Sequence, residues 1–301
     1  MIITWLSVII LAYFFFSLSS LGNKLILAGP PKPNSYIFFV GLSNILVLIF
    51  LPFINFSIPG VSILLLMMVE AVVFMGGLYA MYWAIEKYDV TKVVTTIGAT
   101  QPIFIFILGW LVWNQSIVSK TNIFAFVLLL LGSILISVGK NREATRGYLK
   151  PTIIASFLFA LDYIFSKFIF LSEPFLLGLI WMRMFAFIIA LLFLLSKKNR
   201  KDIFKKRNIL NKKTGIIFAF TNASGGTAGI LQSYAIALAP VAFLPIVNSL
   251  NGLQYVFLFF MTLFLTLLWP KLLREEISKK IIFQKIISII LIGSGLALLV
   301  L

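Results

Sequence analysis

The chain has 301 residues, of which 61% are hydrophobic and 11% charged, with a mean hydropathy of +1.09. A soluble domain carries about 25% charged residues, so a water-soluble globule is excluded, and the absence of Cys and His removes disulfides, thiolate chemistry, haem, most zinc sites and any imidazole relay. The formal charge of +16 does not point to nucleic acid, because Lys and Arg sit in short gaps between apolar runs, where membrane topology accounts for them.

In chain order, helices are predicted over 3–27, 35–54, 61–85, 91–113 and 121–138, then over 152–171, 174–195, 214–237, 241–268 and 281–300. Each run is close to the roughly 20 residues needed to cross a bilayer. The fold class is therefore an all-α integral membrane protein with ten transmembrane helices. The first run is too long for a signal-peptide core and lacks a basic leader, so it reads as a retained helix. Turns such as Gly29-Pro30-Pro31-Lys32-Pro33-Asn34 cannot continue a helix. No strand alternation of the outer-membrane barrel kind is present.

Charge orients these helices. Most Lys and Arg fall in the odd-numbered gaps, the richest being Ser196–Lys213, whereas the even gaps hold Lys120 and no other basic residue. Basic residues near helix ends resist translocation. The odd loops are therefore expected to be cytoplasmic and both termini outside, in a multi-pass protein of the cytoplasmic membrane.

The two halves, 1–140 and 141–301, echo each other. Leu18–Lys24 and Leu161–Lys167 both close the opening helix of a half. Trp83-Ala84-Ile85 parallels Tyr234-Ala235-Ile236, each before a turn, and Gly132-Ser133-Ile134-Leu135 parallels Gly293-Ser294-Gly295-Leu296 in the last helix of each half. Five is odd, so the second copy must be inverted, which is the repeat common among secondary transporters.

These features resemble the drug/metabolite transporter superfamily in its ten-helix form with two EamA domains. The resemblance rests on the helices ending at Lys24 and Lys167, on Arg183, and on the tight links Ala84–Val90 and Ala235–Val241. It rests also on Gln101-Pro102 in the fourth helix, and on Asn114-Gln115 and Glu275-Glu276 before the fifth helix of each half. The chain departs from that pattern at Leu42-Ser43-Asn44, where an Arg is expected, and in the ninth helix, with Pro245 early and Asn251-Gly252 in the middle. The resemblance implies export of amino acids or related metabolites by alternating access.

Ionisable side chains inside a membrane are costly, and they usually face the bundle interior or a wet cavity. Glu70, Asp162 and Arg183 lie near mid-helix. Asp162 and Arg183, on consecutive helices, are expected to neutralise each other or to work in transport, Arg183 on a substrate anion and Asp162 or Glu70 on a coupling proton. Lys24 and Lys167, near helix ends, are expected to snorkel.

A second signal is polar side chains within apolar helices. Asn248, Asn251 and Tyr255 fall at i, i+3 and i+7, and Thr96 and Thr100 at i and i+4, followed by Gln101-Pro102. They belong to the fourth helix of each half, so their faces are expected to line a substrate cavity, with Tyr79 and Gln232 added; interhelical hydrogen bonding is the rival reading. Trp113, Trp181 and Trp269 are expected as interfacial anchors. Gly225-Gly226, Gly229, Ser133, Ser137, Gly293 and Ala297 are expected at close helix contacts.

The leading function is a secondary transporter of a small organic metabolite with protons as the candidate coupling ion. Partners are then the substrate, the lipid bilayer and protons, with monomer and homodimer both open and no cofactor. No phosphate-binding glycine loop is present, which argues against ATP-driven transport within this chain. A lipid or lipid-linked sugar flippase is the alternative. An intramembrane enzyme is less favoured, because among nine acidic residues Glu275-Glu276 is the only adjacent pair.

Overall fold

The computed structural model describes residues 2–26, 33–88, 90–114, 119–137, 146–204, 212–268 and 279–300. Trp269, Gln115, Glu275-Glu276 and the turn at 29–32 lie outside them. Every element among the described residues is helical. In order these are α1 (Ile2–Ile26), α2 (Pro33–Ser43) continuing as a 3-10 segment (Asn44–Phe53), α3 (Val61–Lys87), α4 (Val90–Trp113) and α5 (Lys120–Ser137). They continue with α6 (Leu149–Ser172), α7 (Phe175–Leu192), α8 (Lys197–Phe204), α9 (Lys212–Leu238), α10 (Leu244–Ser249), α11 (Gly252–Leu268) and α12 (Lys279–Val300).

Seven described segments are long and apolar enough to cross a membrane, and Ile37–Phe53 and Lys120–Ile136 are shorter apolar helices. The chain is thus a multi-pass membrane protein by length and composition. α9 is long but carries Thr221, Asn222, Ser224, Gly225, Gly226 and Thr227 in its middle, which dilutes its hydropathy. The ninth predicted helix is two helices, α10 and α11, broken around Leu250 and Asn251.

The chain divides into two compact units that cut across the sequence halves. One comprises Met1–Gly29, Trp113–Asn141 and Asn208–Leu301; the other comprises Pro30–Val112 and Arg142–Arg207. One of the crossings, between Asn141 and Arg142, falls within a residue of the boundary between the halves.

In the first unit α1 packs along α9 and α11, and α5 along α12 and α11. The α5–α12 seam depends on two glycines used reciprocally. A methyl group at Gly132 would fall 2.7 Å from Ile292 Cγ1, and one at Gly295 would fall 2.8 Å from Leu129 Cγ. Small residues admit this approach because helix association in lipid gains from close packing rather than from hydrophobic burial. Of the small residues expected at contacts, Gly225 faces Ser19 in α1, but Gly226, Gly229 and Gly293 have open space where a Cβ would stand, and Ala297 is exposed. The contact glycine of α12 is Gly295, two residues beyond the one the sequence parallel picks.

A Gly295→Val substitution should therefore cost about 1–3 kcal/mol by overpacking, read as a lower thermal midpoint, whereas Gly293→Ala should leave the midpoint unchanged.

In the second unit α3 packs on α6 and α7, and α7 on α2 and its 3-10 continuation. α3 shows why Glu70 points inward. Val61, Leu65, Met68, Val72 and Tyr79 form an outward stripe, while Met67, Glu70, Ala71, Met75 and Leu78 are buried against the neighbours, at the three-to-four-residue spacing of one helix face. Ile37, Ala71, Met75, Leu78, Ala186 and Ala190 make one core cluster there. Trp181, an expected interfacial anchor, stacks on Phe56 with ring centroids 5.4 Å apart and donates to the Ser57 carbonyl at 3.1 Å.

Candidate functional site: a charge triad and a broken helix

Glu70, Asp162 and Arg183 are brought together by α3, α6 and α7. Glu70 is 1% exposed, its carboxyl lies beside that of Asp162, and both acids feel the Arg183 charge. Ser166 Oγ, one helical turn beyond Asp162, approaches Glu70 Oε1 at 3.5 Å. The Arg183 guanidinium lies over Phe74, 4.9 Å from the ring centroid, an arrangement that favours a cation on the aromatic face.

With one carboxyl protonated the triad is neutral; with both ionised it carries one negative charge. The sequence had linked Asp162 to Arg183, and the structure adds Glu70 as an equal member. Ser166 and Phe74 were missed. The i, i+4 spacing of Asp162 and Ser166 was a usable signal, whereas the Phe74 ring gives none in sequence.

Lys167, expected to snorkel, is instead buried at 3% exposure. The side chain of Lys24 lies outside the described residues.

In α4, Thr100 Oγ1 donates to the Thr96 carbonyl at 2.7 Å and lies 2.7 Å from Ser156 Oγ of α6. Its single proton goes to the carbonyl, so Ser156 donates to Thr100. This hydroxyl is committed to helix packing. Gln101 is 9% exposed, and its side chain makes no hydrogen bond to another described residue. Tyr79 is 43% exposed on the outward stripe of α3, away from the triad.

Asn248, Asn251 and Tyr255 belong to the first unit, at the α10–α11 break. Asn251 N–H donates to Asn248 O, Leu253 N–H to Leu250 O, and Gln254 N–H to Asn251 O, each three residues back rather than four. The shared face expected from regular spacing does not run unaltered through this tightened turn.

The tightening takes the usual donors from the carbonyls of Val247 and Ser249, and hydroxyls replace them. Tyr13 OH of α1 donates to Val247 O at 3.0 Å, and Ser133 Oγ of α5 donates to Ser249 O at 2.7 Å. Gly252 makes room, since a Cβ there would collide with Ser133 Oγ and Ile292 Cδ1. Gln254 Nε2 also donates to Ser20 Oγ at 3.0 Å. Gln232, on α9, is half-buried and is not among the groups joined to the break.

No protein-family model matches this chain, and no curated protein matches it. Among 28 matching chains of solved structures, one crystal structure of a protein superposes over 98% of this chain and 96% of its own. The TM-score is 0.68 at 14% sequence identity, so this likeness concerns the fold alone.

Proposed function

We propose that the chain is a secondary, non-ATP transporter of a small organic metabolite, working by alternating access as an exporter of amino acids or related compounds, and not an enzyme. The observation that carries this reading is the Glu70–Asp162–Arg183 triad on three membrane helices, with Glu70 buried and Asp162 and Arg183 half-buried. Intramembrane ionisable clusters are expensive and mark substrate or ion pathways. Glu70 and Asp162 are the proton-coupling groups, and Arg183 sets their charge. Arg183, Thr96, Gln101, Gln232, Asn248, Asn251 and Tyr255 are the candidate substrate contacts, with Gln101 and Asn248 the best of them because they are buried and their side chains hydrogen-bond no other described residue.

Membership of the drug/metabolite transporter superfamily, with inverted five-helix repeats, is part of the same proposal. Exchanging the halves turns the α1–α9 pair into the α6–α3 pair, each packed within its own unit. The Gly132–Ile292 and Gly295–Leu129 contacts are reciprocal, as an internal two-fold axis requires. Tyr88 N–H to Ala84 O and Ala239 N–H to Ala235 O, both 2.9 Å, end the third helix of each half alike. The basic odd loops support a cytoplasmic-membrane location with both termini outside.

The test is uptake of a labelled metabolite mixture into proteoliposomes, with and without a pH gradient. Saturable flux that the gradient stimulates in the wild type and not in Asp162→Asn, with counterflow retained, is expected. Absence of protein-dependent flux for every soluble class would overturn the transporter reading.

A further inference from the structure

We propose that the break in the ninth span recognises an uncharged group that both donates and accepts hydrogen bonds, a primary carboxamide on the transported molecule; this rests on the transport reading and names its substrate class. The Asn248 residue is 5% exposed, and its side-chain amide hydrogen-bonds no other described residue. An amide with no protein partner is open to hydrogen bonds from a ligand or water.

The backbone around it does not fill the need. The carbonyls of Val247 and Ser249 already accept from Tyr13 and Ser133, and the Asn248 carbonyl accepts from Asn251 N–H. The open group is therefore the amide itself, with two N–H donors and one carbonyl acceptor. The Asn251 and Tyr255 side chains of the same span also hydrogen-bond no other described residue.

Charge narrows the occupant. The helices of this unit, α1, α5, α9, α10, α11 and α12, contain no Asp or Glu. An ammonium would find no counterion on these helices. Their basic residues sit towards helix ends, Lys285 for instance lying 4.1 Å from the Phe259 ring centroid. A carboxylate would satisfy the Asn248 N–H group and leave its carbonyl facing an anion. A carboxamide matches donor to acceptor and acceptor to donor in one plane.

The experiment compares four amino acids of similar length, L-glutamine, L-glutamate, L-lysine and L-norleucine, on the full chain in detergent. The readout is the thermal unfolding midpoint as each is titrated. Glutamine should raise the midpoint saturably, and the other three should not. Asn248→Leu should weaken the half-saturation by roughly tenfold or more. Asn248→Asp, nearly isosteric, should do the same if the leucine variant does not fold. Equal shifts from glutamate, lysine or norleucine, no shift from glutamine, or a glutamine shift that survives both substitutions would overturn the proposal. Glutamine binding without flux in proteoliposomes would uphold the site and sink the transporter reading. Flux of other metabolites without glutamine binding would do the reverse.

Discussion

Replacing Arg183 with Met should destabilise the protein by about 3–5 kcal/mol, the cost of stripping the cation from a buried charge cluster. The size follows from what is left behind. Glu70, 1% exposed, lies beside Asp162, and Arg183 is the cation that both of them feel. Removal also empties the face of Phe74, a contact of order 0.5–2 kcal/mol. Arg183→Lys should rescue only part of this, since a point charge does not reproduce a flat guanidinium placed over an aromatic ring. The triple variant Glu70→Gln, Asp162→Asn, Arg183→Met should regain most of the stability, because a neutral, well-filled site is often as stable as a buried ion cluster. It should nevertheless lose gradient-driven flux. Denaturant or thermal unfolding in micelles separates these expectations. A triple variant no more stable than Arg183→Met would mean that the loss was one of packing and not of charge.

Much of this architecture is legible in the sequence, since long apolar runs with short polar gaps leave little freedom. The charged residues were legible for the same reason: a charge in the middle of such a run stands out, and α3 turns Glu70 inward by the same periodicity that turns Leu65 and Val72 outward. The helix break was only half visible. Pro245 and Asn251-Gly252 signalled irregularity, but the regular spacing of Asn248, Asn251 and Tyr255 argued for one continuous face. The groups that stabilise the break, Tyr13 and Ser133, carry no local signal at all, because their partners are backbone carbonyls 234 and 116 residues away. Likewise Thr100 read as a cavity-lining hydroxyl until Ser156, 56 residues distant, claimed it for packing.

Those two hydroxyls give the second large effect. Tyr13→Phe and Ser133→Ala should each cost about 1–3 kcal/mol by leaving a buried carbonyl without a donor. The double variant should cost less than the sum. In a regular helix Val247 O would accept from Asn251 N–H and Ser249 O from Leu253 N–H, and both of those donors are at present turned to Asn248 O and Leu250 O. Once the two hydroxyls are gone, straightening the segment becomes the cheaper way to satisfy the carbonyls, so the second substitution finds part of its penalty already relieved. A double-mutant cycle on unfolding free energy measures that coupling. Straightening would also rotate Asn248 and Asn251 relative to α11, so the double variant should lose ligand-induced stabilisation while remaining folded. Strictly additive costs with ligand response intact would mean that the break is held by Gly252 and its neighbours, and not by the hydroxyls that cap it.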